Sequence, residues 1–400
     1  MKVWIVNPFD SLPAEGSRPL RYWLMAEAFA RAGHSVVYWT ADFNHATKTP
    51  RTESAWTIPA SEAGAIEVVA VHEPVYRKNV SLRRIFAHLR WAKNWYRAAC
   101  GFCGNGSGMP DLIISSSPPL FIGKMVLRFA RKSGAKTIID VMDAWPETFE
   151  RVVPKFLTWP LRRLAKSNYL GADAVTAVAD NYVELVGRYG RRLDLRRFYH
   201  GISLETGPAG FATGGRGAGS VVKIVYAGNM GVSYDLATAV EAVALLDGAV
   251  LEIAGKGGCE EKLKTLAASL GLKEKVVFKG YLDAKELEEF LAGGDIGLVP
   301  MSPESFVGVP YKFADYAKAG LAIASSLGGE SAKLMAKYGC GAAYRPGDPQ
   351  SLAEAVKRMV PRLAEMKKGA RRMAEEEFDA EKIYGDYLAF AESVCCCNRL

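Results

Sequence analysis

Residues 299–330, VPMSPESFVGVPYKFADYAKAGLAIASSLGGE, decide the predicted fold. An apolar run ending at Met301 predicts a buried strand, and a second apolar run at 321–325 predicts another. Between the two runs, Pro310 opens a predicted helix and Gly320 stands just past its end, which is the usual asymmetry of helix termini. This order of strand, helix and strand predicts a parallel α/β sheet.

Two charged side chains stand out on the predicted helix. Lys312 and Asp315 are three residues apart, so they share one helix face. That face lies just beyond the carboxyl ends of the predicted strands, where open α/β sheets bind their ligands. A fixed cation suits a phosphate, and a carboxylate suits the hydroxyls of a ribose. The pattern therefore predicts a nucleotide pocket.

The same alternation of strand and helix patterns extends over most of the chain. It is interrupted once, at 201–220, by a Gly-rich stretch without apolar periodicity that is typical of a linker. We predict an N-terminal Rossmann-like domain at 1–200 and a second one at 221–378. A helix and tail at 379–400 are expected to pack back toward the first domain. The predicted fold class is α/β, with two doubly wound parallel sheets facing a cleft.

The formal net charge of +8 is unevenly distributed. Residues 1–200 contain 28 Lys and Arg against 17 Asp and Glu, which indicates an anionic partner for the first domain. We expect no nucleic acid, because no nucleic-acid-binding motif is present and the basic residues are spread over several elements. An anionic membrane surface or a lipid phosphate fits this charge equally well.

Cysteine, histidine and hydropathy patterns give further expectations about metals and membranes. Seven cysteines without framework spacing indicate reduced thiols, and five histidines include no H-E-x-x-H, so we expect no metal. No apolar run approaches the ~18 residues needed to span a bilayer. No leader pattern opens the sequence, which predicts a cytoplasmic protein.

Glycine-containing turns follow several predicted strands and are candidates for binding an anion. Glycine lets backbone N–H groups approach a phosphate, and the N-terminus of a following helix adds partial positive charge. Each turn alone also fits an ordinary strand-to-helix connection. None of them is a complete G-x-G-x-x-G, which argues against a dinucleotide dehydrogenase. The candidate residues are Gly16, Gly228, Asn229, Gly231, Gly255 and Lys256.

Asp143 stands directly after an apolar run and before Trp-Pro-Glu. Its carboxylate fits a cap on the following helix. It also fits a contact to a sugar hydroxyl in the cleft, and we favour this second interpretation.

Two basic amphipathic segments, 80–97 and 151–169, carry aromatic residues, which in the first are Trp91, Trp95 and Tyr96. Basic faces with interfacial aromatics predict a helix lying on an anionic membrane surface. Aromatics that face the core, with a solvated basic face, explain the pattern equally well.

Short motifs spread over nearly the whole chain resemble one enzyme family. They are EGSRPLRYW at 15–23, SSSPPLFIG at 115–123, DAWPE at 143–147, HGI at 200–202, YAGNMG at 226–231, AGKGG at 254–258 and VPYKFADYAKAG at 309–320. Their order and spacing resemble the retaining GT-B glycosyltransferases of family four, also called group 1. The chain is most similar to the branch that builds bacterial surface polysaccharides on lipid carriers, of the N-acetylfucosaminyl- and colanic-acid-transferase kind.

The resemblance implies transfer of a hexosyl or N-acetylhexosaminyl group from a nucleotide-diphospho-sugar, usually a UDP-sugar, with retention at the anomeric carbon. It implies no metal and no cofactor, since the nucleotide sugar is a substrate. The acceptor would be a glycolipid or oligosaccharide bound by the first domain, with the enzyme peripheral at the inner face of the cell membrane.

The resemblance also assigns roles to residues of the second domain. Lys312 matches the lysine that neutralises the leaving diphosphate. The candidate catalytic residues are Lys312 and, in the first domain, Asp143. Asp315 matches the second Glu of the family's Glu-x7-Glu motif, which holds the ribose. The first Glu falls at Val307, so this chain departs from the motif, and Glu304 or the neighbouring backbone would replace that sugar contact.

Two other functions stay open. A UDP-sugar 2-epimerase on the same fold would need more carboxylates and a histidine in the cleft than the sequence places there. A non-catalytic protein that binds nucleotide sugars or membranes is favoured by Val307 standing where the family has Glu.

Overall fold

The computed structural model describes residues 1–51, 55–60, 64–77, 81–104, 108–151, 153–190, 194–204 and 221–396. Most of the predicted linker, 205–220, lies outside these residues. The chain forms two compact units. Met1–Gly201 and the C-terminal segment from Ala380 make the first unit, and Ile202–Asp379 makes the second.

The first unit is built on one sheet flanked by helices. Its strands are β1 Lys2–Val6, β2 Ser35–Ala41, β3 Phe43–Asn44, β4 Thr49–Pro50, β5 Ala55–Ala60, β6 Gly64–Val71, β7 Leu112–Ser117, β8 Lys136–Val141, β9 Ala174–Ala177 and β10 Leu195–Arg197. Its first five helices are α1 Arg21–Arg31, α2 Leu82–Phe102, α3 Leu120–Ser133, α4 Lys155–Gly171 and α5 Asp180–Tyr189. The sheet order is β10-β9-β8-β7-β1-β2-β6-β5, and only β5 pairs antiparallel.

The second unit repeats this arrangement with a six-stranded parallel sheet in the order β13-β12-β11-β14-β15-β16. Its strands are β11 Val222–Ala227, β12 Ala249–Ala254, β13 Val276–Gly280, β14 Ile296–Val299, β15 Ala322–Ser325 and β16 Gly341–Ala343. Its helices are α6 Leu236–Ala244, α7 Glu260–Ser269, α8 Ala284–Ala292, α9 Tyr311–Lys318, α10 Gly329–Tyr338, α11 Pro349–Met359 and α12 Leu363–Met373. The predicted α/β class with two Rossmann-like parallel sheets is confirmed.

Strand β1 shows why the central strands are apolar throughout. Trp4 and Val6 face one hydrophobic cluster, whereas Val3 and Ile5 face another on the opposite side of the sheet. Side chains alternate between the two faces of a strand, and both faces are covered here. The strand therefore needs apolar residues at every position.

The aromatic residues of α2 belong to the core. Trp91 and Trp95 are fully buried, and the ring of Trp95 lies 6.4 Å from that of Trp4 and 6.1 Å from that of Trp39. The interpretation of Trp91 and Trp95 as membrane-interface residues is therefore wrong. An amphipathic helix that covers a sheet has the same periodicity as one that lies on a membrane, and only packing distinguishes them.

The last helix, α13 Ala380–Cys396, packs against α1 in the first unit. Tyr384, Tyr387 and Phe390 are buried in the same cluster as Val3 and Ile5. The C-terminal segment thus completes the hydrophobic core of the unit that begins at residue 1.

A buried ion pair joins α1 to the sheet. Nε and Nη2 of Arg21 each lie 2.8 Å from an oxygen of Asp140 on β8, and both side chains are fully buried. The remaining guanidinium nitrogen donates to the carbonyls of Phe198 and Tyr199 at 3.0 and 2.8 Å. Burial raises the pKa of Asp140, but the charge and hydrogen bonds of Arg21 outweigh this effect and hold it below its ordinary value.

We expect Arg21→Met to lower the free energy of unfolding of the first unit by about 3–5 kcal/mol, because it leaves the Asp140 carboxylate buried without a counter-charge. Chemical and thermal denaturation followed by circular dichroism measure the loss. The matched control is Arg31→Met on the same helix, which breaks an exposed 3.7 Å pair with Glu381 and should cost no more than about 1 kcal/mol. Equal losses in the two variants would contradict the assignment.

Candidate functional site

The site of the second unit lies where its strand order reverses. The chain continues from β11 to β12 on one side and from β14 to β15 on the other, so a crevice opens at the carboxyl ends of β11 and β14. The segments that follow these strands supply most of the predicted donor-binding residues.

Two glycine turns interlock at this edge. The amide of Gly228 donates to the carbonyl of Ala254 at 2.9 Å, and that of Met230 donates to the carbonyl of Lys256 at 3.0 Å. A Cβ on Gly255, whose φ is +126°, would lie 1.9 Å from the carbonyl oxygen of Gly228. Glycine is therefore required at 255 for the two backbones to touch.

The ammonium group of Lys312 lies above the first of these turns. Its Nζ is 4.5 Å from the ring centroid of Tyr234 and 5.2 Å from that of Tyr226. A Cβ on Gly228 would lie only 2.5 Å from the same nitrogen. Within the part of the chain that the structure describes, Lys312 forms no ion pair with a carboxylate. The aromatic faces hold the cation in place and leave its charge available to a ligand.

The two glycine turns also carry unused backbone donors. Among the described residues, the amides of Asn229, Gly231 and Lys256 have no hydrogen-bond acceptor. The side chains of Asn229 and Lys256 are exposed. A half-buried ammonium group beside several unused N–H donors is an arrangement suited to an anion with several oxygens, such as a diphosphate.

Tyr316 fixes the helix that carries Lys312. Its buried hydroxyl accepts from the amide of Ala227 on β11 and donates to the carbonyl of Leu298 on β14, both at 3.2 Å. A Cβ at Gly297 would lie 2.4 Å from the Tyr316 ring, so the glycine makes room for the ring. Helix α9 is thereby attached to both strands that flank the crevice.

The remaining predicted residues of the second unit lie around this cluster. Asp315 is half-buried on the same helix as Lys312. In the loop before the helix, Glu304 is exposed and Val307 is half-buried, with the amide of Val307 donating to the hydroxyl of Ser305 at 3.4 Å.

At the start of the helix that follows the first glycine turn, one backbone amide is already bonded within the protein. Helix α6 begins at Leu236, and the carboxylate of Asp235 caps it by accepting from the amide and hydroxyl of Thr238 at 3.3 and 2.6 Å. Asp235 therefore satisfies the amide of Thr238, which is not available to an anion.

Two predicted residues belong to the first unit. Gly16 ends a one-turn 3-10 helix with φ +73°, and its amide donates to Pro13. Asp143 accepts from the amide of Ala144 at 2.8 Å, the indole of Trp145 at 3.2 Å and the hydroxyl of Thr148 at 3.3 Å. Burial raises the pKa of Asp143. These bonds hold the Asp143 carboxylate within its own turn, and its sugar contact stays a prediction.

The sequence did not single out the tyrosines of the site. Tyr226, Tyr234 and Tyr316 position Lys312 or its helix, yet tyrosine is common in apolar runs. Tyr226 and Tyr316 each lie in a quoted motif, but no spacing rule shows that the Tyr226 ring supports a lysine 86 residues away along the chain.

Neither a cluster of metal-ligating side chains nor a membrane-spanning helix is found among the described residues. No three His, Cys, Asp or Glu side chains lie close enough together to hold a metal ion. No described helix combines the length and apolarity required to cross a bilayer.

We expect Gly255→Ala to destabilise the second unit by about 2 kcal/mol or more, because the new Cβ meets the Gly228 carbonyl and the backbone is in a left-handed region. Thermal unfolding measures the effect. Gly258→Ala is the control, since a Cβ there meets nothing within 4 Å and its φ lies outside the left-handed region. If the two variants melt at the same temperature, the turns do not depend on the contact.

The comparisons with known proteins agree with this geometry. A family described as "Glycosyl transferases group 1" matches residues 221–361, and one described as "Glycosyl transferase 4-like domain" matches residues 20–198. The two matches cover most of the chain. No curated protein matches the sequence.

Several solved structures share the fold at low sequence identity. Sucrose-phosphate synthase from Thermosynechococcus elongatus has a TM-score of 0.76 at 14% identity, covering 98% of each chain. HepE of Anabaena has a TM-score of 0.69 at 14% identity, covering 98% of this chain and 100% of its own. WaaG has a TM-score of 0.64 at 15% identity, covering 99% and 100%. The chain belongs to the group 1 glycosyltransferases and has the GT-B fold.

Proposed function

We propose that the protein is a retaining glycosyltransferase that moves a sugar from a nucleotide-diphospho-sugar to a lipid-linked or polysaccharide acceptor in surface-glycan synthesis. The observation that carries the proposal is the Lys312 ammonium group held over the Gly228 turn beside unused backbone donors. The transferred group is proposed to be a hexosyl or N-acetylhexosaminyl unit, with N-acetylfucosaminyl and colanic-acid-type transfer as the first specificities to test.

Similar structures support the choice of donor and pathway. HepE was solved with UDP and with UDP-glucose, which makes a UDP-sugar the first donor to test. WaaG is described as a glycosyltransferase involved in lipopolysaccharide biosynthesis, and WaaB as a lipopolysaccharide outer core galactosyltransferase. These descriptions favour an acceptor on a surface glycan.

The proposed reaction breaks the bond between the anomeric carbon and the β-phosphate oxygen of the donor. Negative charge grows on that oxygen as the nucleotide leaves, and Lys312 with the amides of Asn229 and Gly231 stabilises it most in the transition state. Asp315 holds the ribose. The acceptor hydroxyl attacks from the same face, a new C–O bond forms, and its proton passes to the departing phosphate. The reaction as proposed uses no metal and no cofactor.

We expect Lys312→Ala to lower kcat about 10²- to 10³-fold, the usual effect of removing one donor to a developing oxyanion. Product formation is measured with UDP-, GDP- and dTDP-sugars, including slow donor hydrolysis without acceptor. Lys318→Ala is the control, because Lys318 is on the same helix but pairs with Glu288 at 3.1 Å. Wild-type turnover in Lys312→Ala would contradict the assignment of leaving-group charge.

A non-catalytic nucleotide-sugar-binding protein is the second candidate, favoured by Val307 in the position of the family's first Glu. The same donor panel separates the two functions. Turnover of any donor establishes an enzyme, whereas saturable binding of a nucleotide sugar without turnover establishes a binding protein.

We also propose that the first unit binds the inner face of the cell membrane through α4. Phe156, Leu157 and Trp159 are 74%, 57% and 56% exposed at the start of this helix. The guanidinium of Arg163 lies 4.9 Å from the Trp159 ring, so basic and apolar groups share one surface. This composition suits a helix lying at an anionic lipid interface.

We expect Phe156→Ser and Trp159→Ser each to reduce co-sedimentation with phosphatidylglycerol vesicles at low salt several-fold. Each change removes an apolar side chain that would enter the interface. Leu270→Ser, at an exposed apolar residue of the second unit, is the control. Absence of wild-type binding at low salt would remove the membrane proposal.

A further inference from the structure

Three neighbouring helices of the first unit contain no acidic residue. Helix α3 packs against both α2 and α4 on one side of the sheet, and the three are here called the basic layer. Together they contain thirteen Lys and Arg and no Asp or Glu. Helices α1 and α13, which pack on the opposite side, contain three Lys and Arg and four Asp and Glu. Positive charge is therefore concentrated on one side of the first sheet.

The outward-facing residues of the basic layer form three rows. Residues three or four positions apart share one face of a helix. The exposed rows are Leu82, Phe86, Arg90, Lys93 and Arg97 on α2, Lys124, Arg128 and Arg131 on α3, and Phe156, Trp159, Arg163 and Lys166 on α4. The two outer rows thus begin with apolar residues and continue with basic ones, whereas the row of α3 is basic throughout.

The apolar residues of the two outer rows lie at the same end of the layer. Each of the three helices follows a strand of the parallel part of the sheet, so all three begin at its carboxyl edge and run in the same direction. Leu82 and Phe86 are 85% and 57% exposed at the start of α2, and Phe156 and Trp159 are exposed at the start of α4. Two exposed apolar groups therefore stand at the carboxyl edge, one on each side of α3.

Among the described residues, none of the eight cations in these rows forms an ion pair with a carboxylate. Carboxylates of the neighbouring segments have other partners. Glu147 and Glu150, which precede α4, both pair with Arg162. Asp180, at the start of α5, pairs with Arg197 at 2.9 Å. The charge of the rows is therefore available to a partner outside the unit.

We propose that the whole basic layer lies on an anionic bilayer, with the row of α3 against the headgroups and the start of α2 as a second apolar anchor beside α4. A bilayer matches both features of the layer, because its headgroups carry negative charge and its interior accepts apolar side chains. A soluble polyanion would leave Leu82, Phe86 and Phe156 in water. The choice of partner extends the membrane contact proposed for α4 and rests on it.

This contact orients the first unit on the membrane. Both anchors are at the carboxyl edge of the sheet, and the basic rows run back from that edge. The carboxyl edge is thereby turned toward the lipid. It is also the edge at which open α/β sheets bind their ligands, so an acceptor on a lipid carrier reaches it without leaving the bilayer. This consequence rests on the proposed lipid-linked acceptor, whereas the binding of the layer does not.

The row of α3 is tested by removing its three charges in full-length protein, as Lys124→Gln, Arg128→Gln and Arg131→Gln combined. We expect at least tenfold weaker co-sedimentation with mixed phosphatidylglycerol and phosphatidylcholine vesicles at low salt, and a weaker dependence of binding on salt concentration. The control combines Lys333→Gln, Lys357→Gln and Lys368→Gln, which removes the same charge from exposed helical positions of the second unit. It should change binding less than twofold.

The anchor on α2 is tested by Leu82→Ser and Phe86→Ser combined. We expect at least fivefold weaker binding to the same vesicles, because two apolar side chains no longer enter the interface. Leu245→Ser and Leu270→Ser combined are the control, since both leucines are 43% exposed in the second unit. Thermal unfolding of every variant confirms that the fold is retained.

The inference is overturned if the α3 variant or the α2 variant, melting at the wild-type temperature, binds anionic vesicles as tightly as its control. Loss of binding confined to Phe156→Ser and Trp159→Ser would leave α4 as the membrane contact and refute the wider layer. Binding of wild-type protein to soluble polygalacturonate but not to vesicles would assign the surface to a polyanion instead. Turnover of nucleotide sugars without vesicles tests glycosyl transfer independently of all these outcomes.

Discussion

The first unit depends on a fully buried, bidentate ion pair between Arg21 and Asp140. Asp140 also accepts from the hydroxyl of Thr176 at 2.6 Å, and that hydroxyl lies 3.2 Å from the hydroxyl of Tyr387 on the last helix. One carboxylate thus connects the first helix, two strands and the C-terminal helix. Burying such a pair is costly unless every donor and acceptor is matched, and this network matches them.

The close packing of the turns in the second unit depends on glycine, because a side chain at these positions would meet neighbouring atoms. Glycines at 228, 255 and 257 let two turns touch backbone to backbone, and Gly297 makes room for the ring of Tyr316. The space gained is occupied by the ammonium group of Lys312, which lies against two tyrosine rings. A cation fixed by aromatic faces and a backbone fixed by close contact need little rearrangement when a charged ligand arrives, which is the condition for efficient electrostatic stabilisation.

The first unit contains two buried carboxyl groups in different electrostatic environments. The carboxylate of Asp140 is held ionised by Arg21, whereas Glu73 is buried beside a neutral histidine and is held protonated. The first arrangement is closed and structural, because every polar atom has a partner. In the second, neither carboxyl oxygen of Glu73 has a hydrogen-bond partner among the described residues.

The sequence by itself determined the α/β class, the two parallel sheets and the ends of helices such as α3 and α11, because apolar periodicity and helix-terminal residues are local signals. It also singled out Lys312 through its spacing from Asp315. The short strand β16, the helix α10 and the antiparallel β5 were not predicted, since short elements carry few periods. Only the tertiary structure decided that Trp95 belongs to the core and that Tyr226 and Tyr234 hold the ammonium group of Lys312. Each of these depends on contacts between segments far apart in the chain, and local patterns do not encode which distant segment a side chain will meet.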